Sequence, residues 1–212
     1  MAISRNTKNI KQFINLEQNT IMAATLDTTQ KNAIARKLAD MKVLQNLMIS
    51  NEEKLLEATK GNERVTSSIS DMLEDDRKSI TAINDAISEL EMSSEPSDTV
   101  TNMTDTIEKL MSGSHLDLYE KIMQHEGLKH QLVMTGLLIH KAAQATDGAL
   151  QKSIDAINKV NFKNRAHQEQ LKTIIYFYGV RQLVGEEPEA NIWGAADDAI
   201  AALKGAFGGL TE

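Results

Sequence analysis

The sequence predicts an all-α protein: an elongated antiparallel helical bundle or coiled coil, closed by a C-terminal amphipathic helix. Composition is the first reason. Of 212 residues, 41% are hydrophobic but only 4% are aromatic, a mixture of Ala, Ile, Leu and Met that suits helices and gives β-sheets little to pack. The second is proline, present only at Pro96 and Pro188. Proline breaks a helix by removing a hydrogen bond and clashing with the preceding turn, so the long proline-free stretches are where long helices can form. The third is periodicity. Ile69, Leu73, Asp76, Ile80, Ile83, Ile87 and Leu90 alternate spacings of four and three without a slip, which is a heptad seam.

Taken in order, residues 1–16 hold Arg5, Lys8 and Lys11 with no acid, and Ile3, Ile10 and Ile14 on one helical stripe. We read a basic helix start there rather than a transit peptide, with no signal peptide and no membrane-spanning helix. Asp27 with Gln30 resembles a capping box ahead of Ile34, Leu38, Met41, Met48 and Leu55. Ser50 with Glu53 is a second match where the helix breaks or runs on. Gly61-Asn62 reads as a stop and a new N-cap. The seam helix then spans 63–94, about 48 Å at 1.5 Å per residue. "SSEPSD" (93–98) is a hinge, since Pro96 restricts Glu95 and the flanking Ser and Asp cap and turn.

A short helix through Met103, Ile107 and Leu110 should end at Gly113. Ser114 and Asp117 then cap a helix that carries Leu116, Tyr119, Met123 and "LVMTGLLI" (132–139), read as buried on much of its circumference. Thr146-Asp147-Gly148 is the expected break. The seam resumes as Leu150, Ile154, Ile157, Asn161, Asn164, Gln168, Leu171, Ile175 and Tyr178, with polar middle layers. The organisation expected is a first arm over 1–95, a second over 96–187 in one bundle with it, and a docking helix over 188–212. On that last helix Trp193, Ala196, Ile200, Leu203, Phe207 and Leu210 form one face, expected to dock on the chain's own bundle or a neighbouring one.

Chemistry is harder to find. There is no cysteine, which excludes disulfides, thiolate catalysis and Cys-type zinc sites. The histidines at 115, 125, 130, 140 and 167 show no zincin spacing, because His125 and His130 stand about 140° apart on a helix. No Glu-x-x-His, P-loop, G-x-S-x-G or G-x-G-x-x-G occurs. Catalytic, cofactor-binding and metal residues are therefore expected to be none, and no cofactor is expected. Asp76 is the anomaly, since a lone buried carboxylate is costly. We read the seam as locally exposed there; the alternative is a register device paired with a Lys or Arg of the second arm.

Net charge is −7, distributed as +4 over 1–50, −8 over 51–98, −1 over 99–113, +3 over 114–184 and −5 over 185–212. Alternating signs suit helix pairing better than a nucleic-acid surface, and no Lys/Arg cluster reads as a phosphate stripe. The resulting expectation is a non-enzymatic structural or scaffolding protein, self-assembling or binding a helical protein partner, such as a virion or secretion-apparatus component. It would be soluble, cytoplasmic or particle-associated, with no nucleic acid and with membrane disfavoured. The rival is a membrane-active protein that inserts 132–139 and the tail. An enzyme ranks third.

Overall fold

A computed structural model describes residues 28–146 and 150–208, without the side chains of 152, 153, 207 and 208. The basic stripe at Ile3, Ile10 and Ile14, the Asp27 cap, the Asp147-Gly148 part of the break, Leu210 and the Phe207 side chain all lie outside the described part. Helices follow one another as α1 (Thr28–Thr59), α2 (Glu63–Glu89), α3 (Asp98–Ser112), α4 (Leu118–Gln144), α5 (Gln151–Val184) and α6 (Ile192–Gly208). There is no strand among the described residues. The all-α reading holds.

Local chemistry sets the boundaries. α1 runs through Ser50 and Glu53 without a break. Asn62 caps α2, its side chain accepting from the Val65 N–H. α2 ends at Glu89, five residues before the expected end, with Leu90 as C-cap. Glu91 then takes a positive φ of 54°, so the turn is made before Pro96 is reached. Ser97 caps α3, and its own N–H donates to Oδ1 of the buried Asp40 at 2.7 Å. Thus α1 pins the linker that Pro96 shapes. Asp117 starts α4, its N–H donating to Glu120 Oε2 at 2.8 Å. Gly185 ends α5 at φ 74°, a left-handed cap for which glycine has no steric penalty.

α1 and α2 form one hairpin, α4 and α5 another. α1 packs on α2 and α4, and α5 on α4 and α2, closing a four-helix ring; α3 lies over α1 and α4 as the crossover. The apolar side chains gather in two clusters. One joins Ile34, Leu38, Met41, Leu44 and Met48 to Ile83, Leu90, Leu128, Leu132, Ile139, Leu150, Ile154 and Ile157. The other joins Leu55, Val65, Ile69, Met72, Met111, Ile122, Leu171 and Ile174. On each helix of the ring buried polar side chains stand where the two clusters meet, Glu52 on α1, Asp76 on α2, His125 and Lys129 on α4 and Asn164 and His167 on α5, so a polar waist separates two apolar cores.

The α2 seam faces inward, with Ile69, Leu73, Asp76, Ile83 and Leu90 buried and Ile80 and Ile87 half-buried. Two expectations need correction. Asp76 is fully buried, so the seam is not exposed there. "LVMTGLLI" is not buried all round: Met134 and Leu138 are 53% and 58% exposed, because only the Leu132, Val133, Gly136 and Ile139 side meets the ring. Among the described residues no helix is long and apolar enough to cross a membrane.

The last helix docks on its own chain. It packs against α5, and Trp193 meets the second apolar cluster, 5.8 Å from the Phe177 ring and under the Arg64 guanidinium at 4.4 Å. Ala196 is buried, while Ile200 and Leu203 are half-buried.

Candidate functional site

The waist is built around Lys129. Its helix position places it one residue after the core Leu128 and three before the core Leu132, which turns a long cationic side chain into the ring. The side chain is fully buried. An ammonium has three N–H donors and no acceptor, and three acceptors surround Nζ. Asp76 Oδ2 of α2 lies at 2.6 Å, Glu52 Oε1 of α1 at 2.8 Å, and His167 Nδ1 of α5 at 3.1 Å. His125, one turn before Lys129 on α4, places Nε2 3.1 Å from the same Glu52 oxygen. All four helices of the ring thereby meet at one charge.

The electrostatics follow from crowding without water. Burial disfavours the Glu52 carboxylate, but the Lys129 charge and the His125 hydrogen bond outweigh it and hold Glu52 down at about 2. Asp76 is pushed up, by burial and by the Glu52 charge across the cluster, against the pull of Lys129. Burial opposes the Lys129 charge too, yet Asp76 and Glu52 raise its proton affinity above the ordinary lysine range. Both histidines go down: His125 through burial, His167 through burial and the neighbouring Lys129 charge. The rings are therefore neutral. Since Lys129 can only donate, His167 Nδ1 must accept, and the ring proton sits on Nε2.

That Nε2 faces Asp75, which is partly exposed. It stands 3.4 Å from Asp75 Oδ2. The other Asp75 oxygen, Oδ1, accepts from Lys163 Nζ of α5. The His167 side chain is only 6% exposed, but Asp75 is 27% and Lys163 40% exposed. The hydrogen bond of His167 lowers Asp75 most; the Lys163 bond and charge add to it, and together they overcome its partial burial, holding the carboxyl well below the usual range. A neutral N–H donor and an ammonium thus converge on one anion at the surface, with the buried ion cluster behind them.

Above this layer lie buried amides. Asn164 donates to the Val160 carbonyl. Asn161 is buried against Gly136, where a Cβ would come 2.1 Å from Oδ1. Gln168 donates to Glu126 Oε1 at 2.9 Å. The polar middle layers of the α5 seam are thus inside the protein. Among the described residues no three His, Asp or Glu side chains converge closely enough to hold a metal ion.

Of the residues the sequence singled out, Asp76 enters this site, paired with a lysine from the second arm, and so do His125 and His167, weighed there only as metal ligands. Ile69, Ile83, Ile87 and Leu90 belong to or pack on the apolar clusters and Trp193 packs on the second, while Leu73 is buried and Ile80, Ile200 and Leu203 are half-buried. Glu52, Lys129 and Lys163 stand in no motif of the sequence, and nothing local showed that Asp75, His125 and His167 belong with them. Only the fold gathers them. One signal was present: Lys129 follows His125 by one turn and Leu128 directly, an apolar register with polar intruders.

Over 187 residues the chain is 50% identical to a protein of Nostoc sp. strain PCC 7120 named DNA nickase, covering 88% of this chain and 53% of that protein. The chain therefore spans about half the length of the curated relative it matches. No family model matches the sequence, and no solved structure matches the fold. The likeness overturns the expectation of a non-enzymatic structural or scaffolding protein, virion component included, and the exclusion of nucleic acid. Both errors share a cause. Seams dominate a helical sequence and say only how helices pack. Net charge averages over faces: α5 alone carries Lys152, Lys159, Lys163, Arg165, Lys172 and Arg181 against Asp155 and Glu169.

Proposed function

We propose that this chain nicks DNA, breaking one phosphodiester in one strand of a duplex. The observation that carries the reading is the 50% identity over 187 residues to the protein named DNA nickase. In hydrolytic nicking, a water oxygen bonds to phosphorus, the bond from phosphorus to one ester oxygen breaks, and protons pass through solvent from the water to the leaving oxygen. Negative charge grows on the phosphoryl and leaving oxygens, and preorganised donors aimed at that charge are the most effective help a protein gives. The surface at Asp75 supports this with two such donors, His167 Nε2–H and the Lys163 ammonium. The His167 ring is rigid because Lys129 holds Nδ1 from behind.

The test is conversion of supercoiled plasmid by the purified chain, with and without magnesium. Open circles should accumulate before any linear form. His167→Asn and Lys163→Met should each slow conversion about a hundredfold, the usual cost of removing one charge-stabilising donor, with helical circular dichroism unchanged. No conversion by the purified, folded chain would refute the reading.

A further inference from the structure

We propose that Lys163 and His167 form a phosphate-binding site, and that Asp75 is its built-in occupant in the resting protein. The inference rests on the nicking reading for its ligand, a DNA phosphodiester, but its geometry stands alone.

A carboxylate and a phosphoryl group present the same feature to donors: two oxygens on one centre sharing negative charge. Asp75 offers Oδ1 to Lys163 and Oδ2 to His167, so the two donors already bracket two oxygens of one anion. The donors differ in mobility. His167 is held on its far side by Lys129 Nζ at 3.1 Å and stays in place whether Asp75 is there or not. Lys163 is a flexible, 40% exposed side chain on the same α5 face, one turn before. Asp75 is 27% exposed on the rim of α2, so a rotation of its side chain would move the carboxylate into solvent without disturbing the core.

Asp76 cannot play this part, being buried and bonded to Lys129. The adjacent Asp75 and Asp76 divide the labour: one neutralises the buried lysine and the other covers the surface donors. Upstream on α5, Lys159 is exposed at the next turn. Lys159, Lys163 and His167 thus recur at four-residue intervals along one face. Such a row suits a phosphate chain leading to the site.

The consequence is opposite to that of a carboxylate needed for binding. Asp75→Asn keeps the shape, removes the competing charge and leaves a single neutral acceptor oxygen, so the two donors are held far less tightly. We expect inorganic phosphate, followed by the ¹⁵N and ¹H shifts of the His167 ring, to bind this variant about tenfold more tightly, equal to about 1.4 kcal/mol. A labelled duplex followed by fluorescence anisotropy should gain similarly. Lys163→Met should abolish the phosphate-induced His167 shifts in both backgrounds. Should Asp75→Asn fail to fold, the unaltered chain decides: phosphate at high concentration must shift His167 Nε2, and Lys163→Met must remove that response. Equal or weaker phosphate binding by folded Asp75→Asn, or a silent His167 in the unaltered chain, would overturn the proposal. The phosphate arms hold whether or not the chain nicks plasmid, so the two readings fail separately.

Discussion

Lys129 is the residue on which the interior depends. Its ammonium pairs with both Glu52 and Asp76, which are buried with it. Removing one partner of a buried pair leaves an uncompensated charge, which costs about 3–5 kcal/mol. Lys129→Met, which keeps the length and apolar stem, should lower unfolding stability in urea by that amount. Adding Glu52→Gln and Asp76→Asn to the same chain should recover most of it, because no buried charge then remains. A Lys129→Met protein as stable as the original would show that the cluster is not ionised as described. Gly136 gives a second test at the same scale. A methyl there would meet Asn161 Oδ1 at 2.1 Å, and a crowded core resists such insertion by about 1–3 kcal/mol. Asn161→Ala should relieve Gly136→Ala, and additive losses would disprove the contact.

At the scale of elements, spacing made much of the architecture legible. The α2 seam, the Asn62 cap, the Ser97 start of α3 and most α5 core positions follow from periodicity and cap chemistry. α4, by contrast, is capped by Asp117 with Glu120, three residues after the expected Ser114, and leaves Leu116 outside the helix. The end of α2 was not legible either. Nothing in "ELEMSSEP" shows that Glu91 turns left-handed before the proline, a choice made by Leu90 packing into the core at 4% exposure. The exposure of Met134 and Leu138 was equally hidden, since a run of apolar residues does not say how many neighbours surround it. The tail was legible as a face, and its destination was settled by Phe177 and Arg64 from two other helices. Trp193 emission in the folded chain should therefore lie to the blue of the same chain in denaturant. It should shift red on Phe177→Ala, with Arg64→Ala weaker because the Arg64 side chain is 56% exposed and a cation–π contact at an exposed site is worth only about 0.5–1 kcal/mol. Unchanged emission in both variants would mean the helix docks elsewhere.

Across the whole molecule, the polar waist couples four helices through groups that titrate, and this fixes how stability must depend on pH. The site was illegible for the same reason: its residues come from α1, α2, α4 and α5, and no local pattern links Glu52 to His167. His125 and His167 both have proton affinities lowered below the ordinary 6.5, by burial above all. In the unfolded chain they take protons as the pH falls through 6.5, while in the folded chain they do not. The unfolded state then binds more protons, so stability declines with acidification from that point. Glu52, held at about 2 against an ordinary 4.5, and Asp75, also lowered, extend the decline as the pH drops further. Asp76, raised by burial, works against them in the same acid range but is outnumbered. Lys129 is raised above 10.5, so its contribution is complete below that value and is lost only as pH rises through the folded one. Melting temperature should accordingly be highest between about pH 7 and pH 10 and fall from about pH 6.5 downward. With His125→Asn and His167→Asn combined, the fall should begin only near the carboxylate range, below about pH 4.5. If the double variant keeps the original onset near 6.5, the histidines are not buried as neutral rings and the tautomer assigned to His167 is wrong.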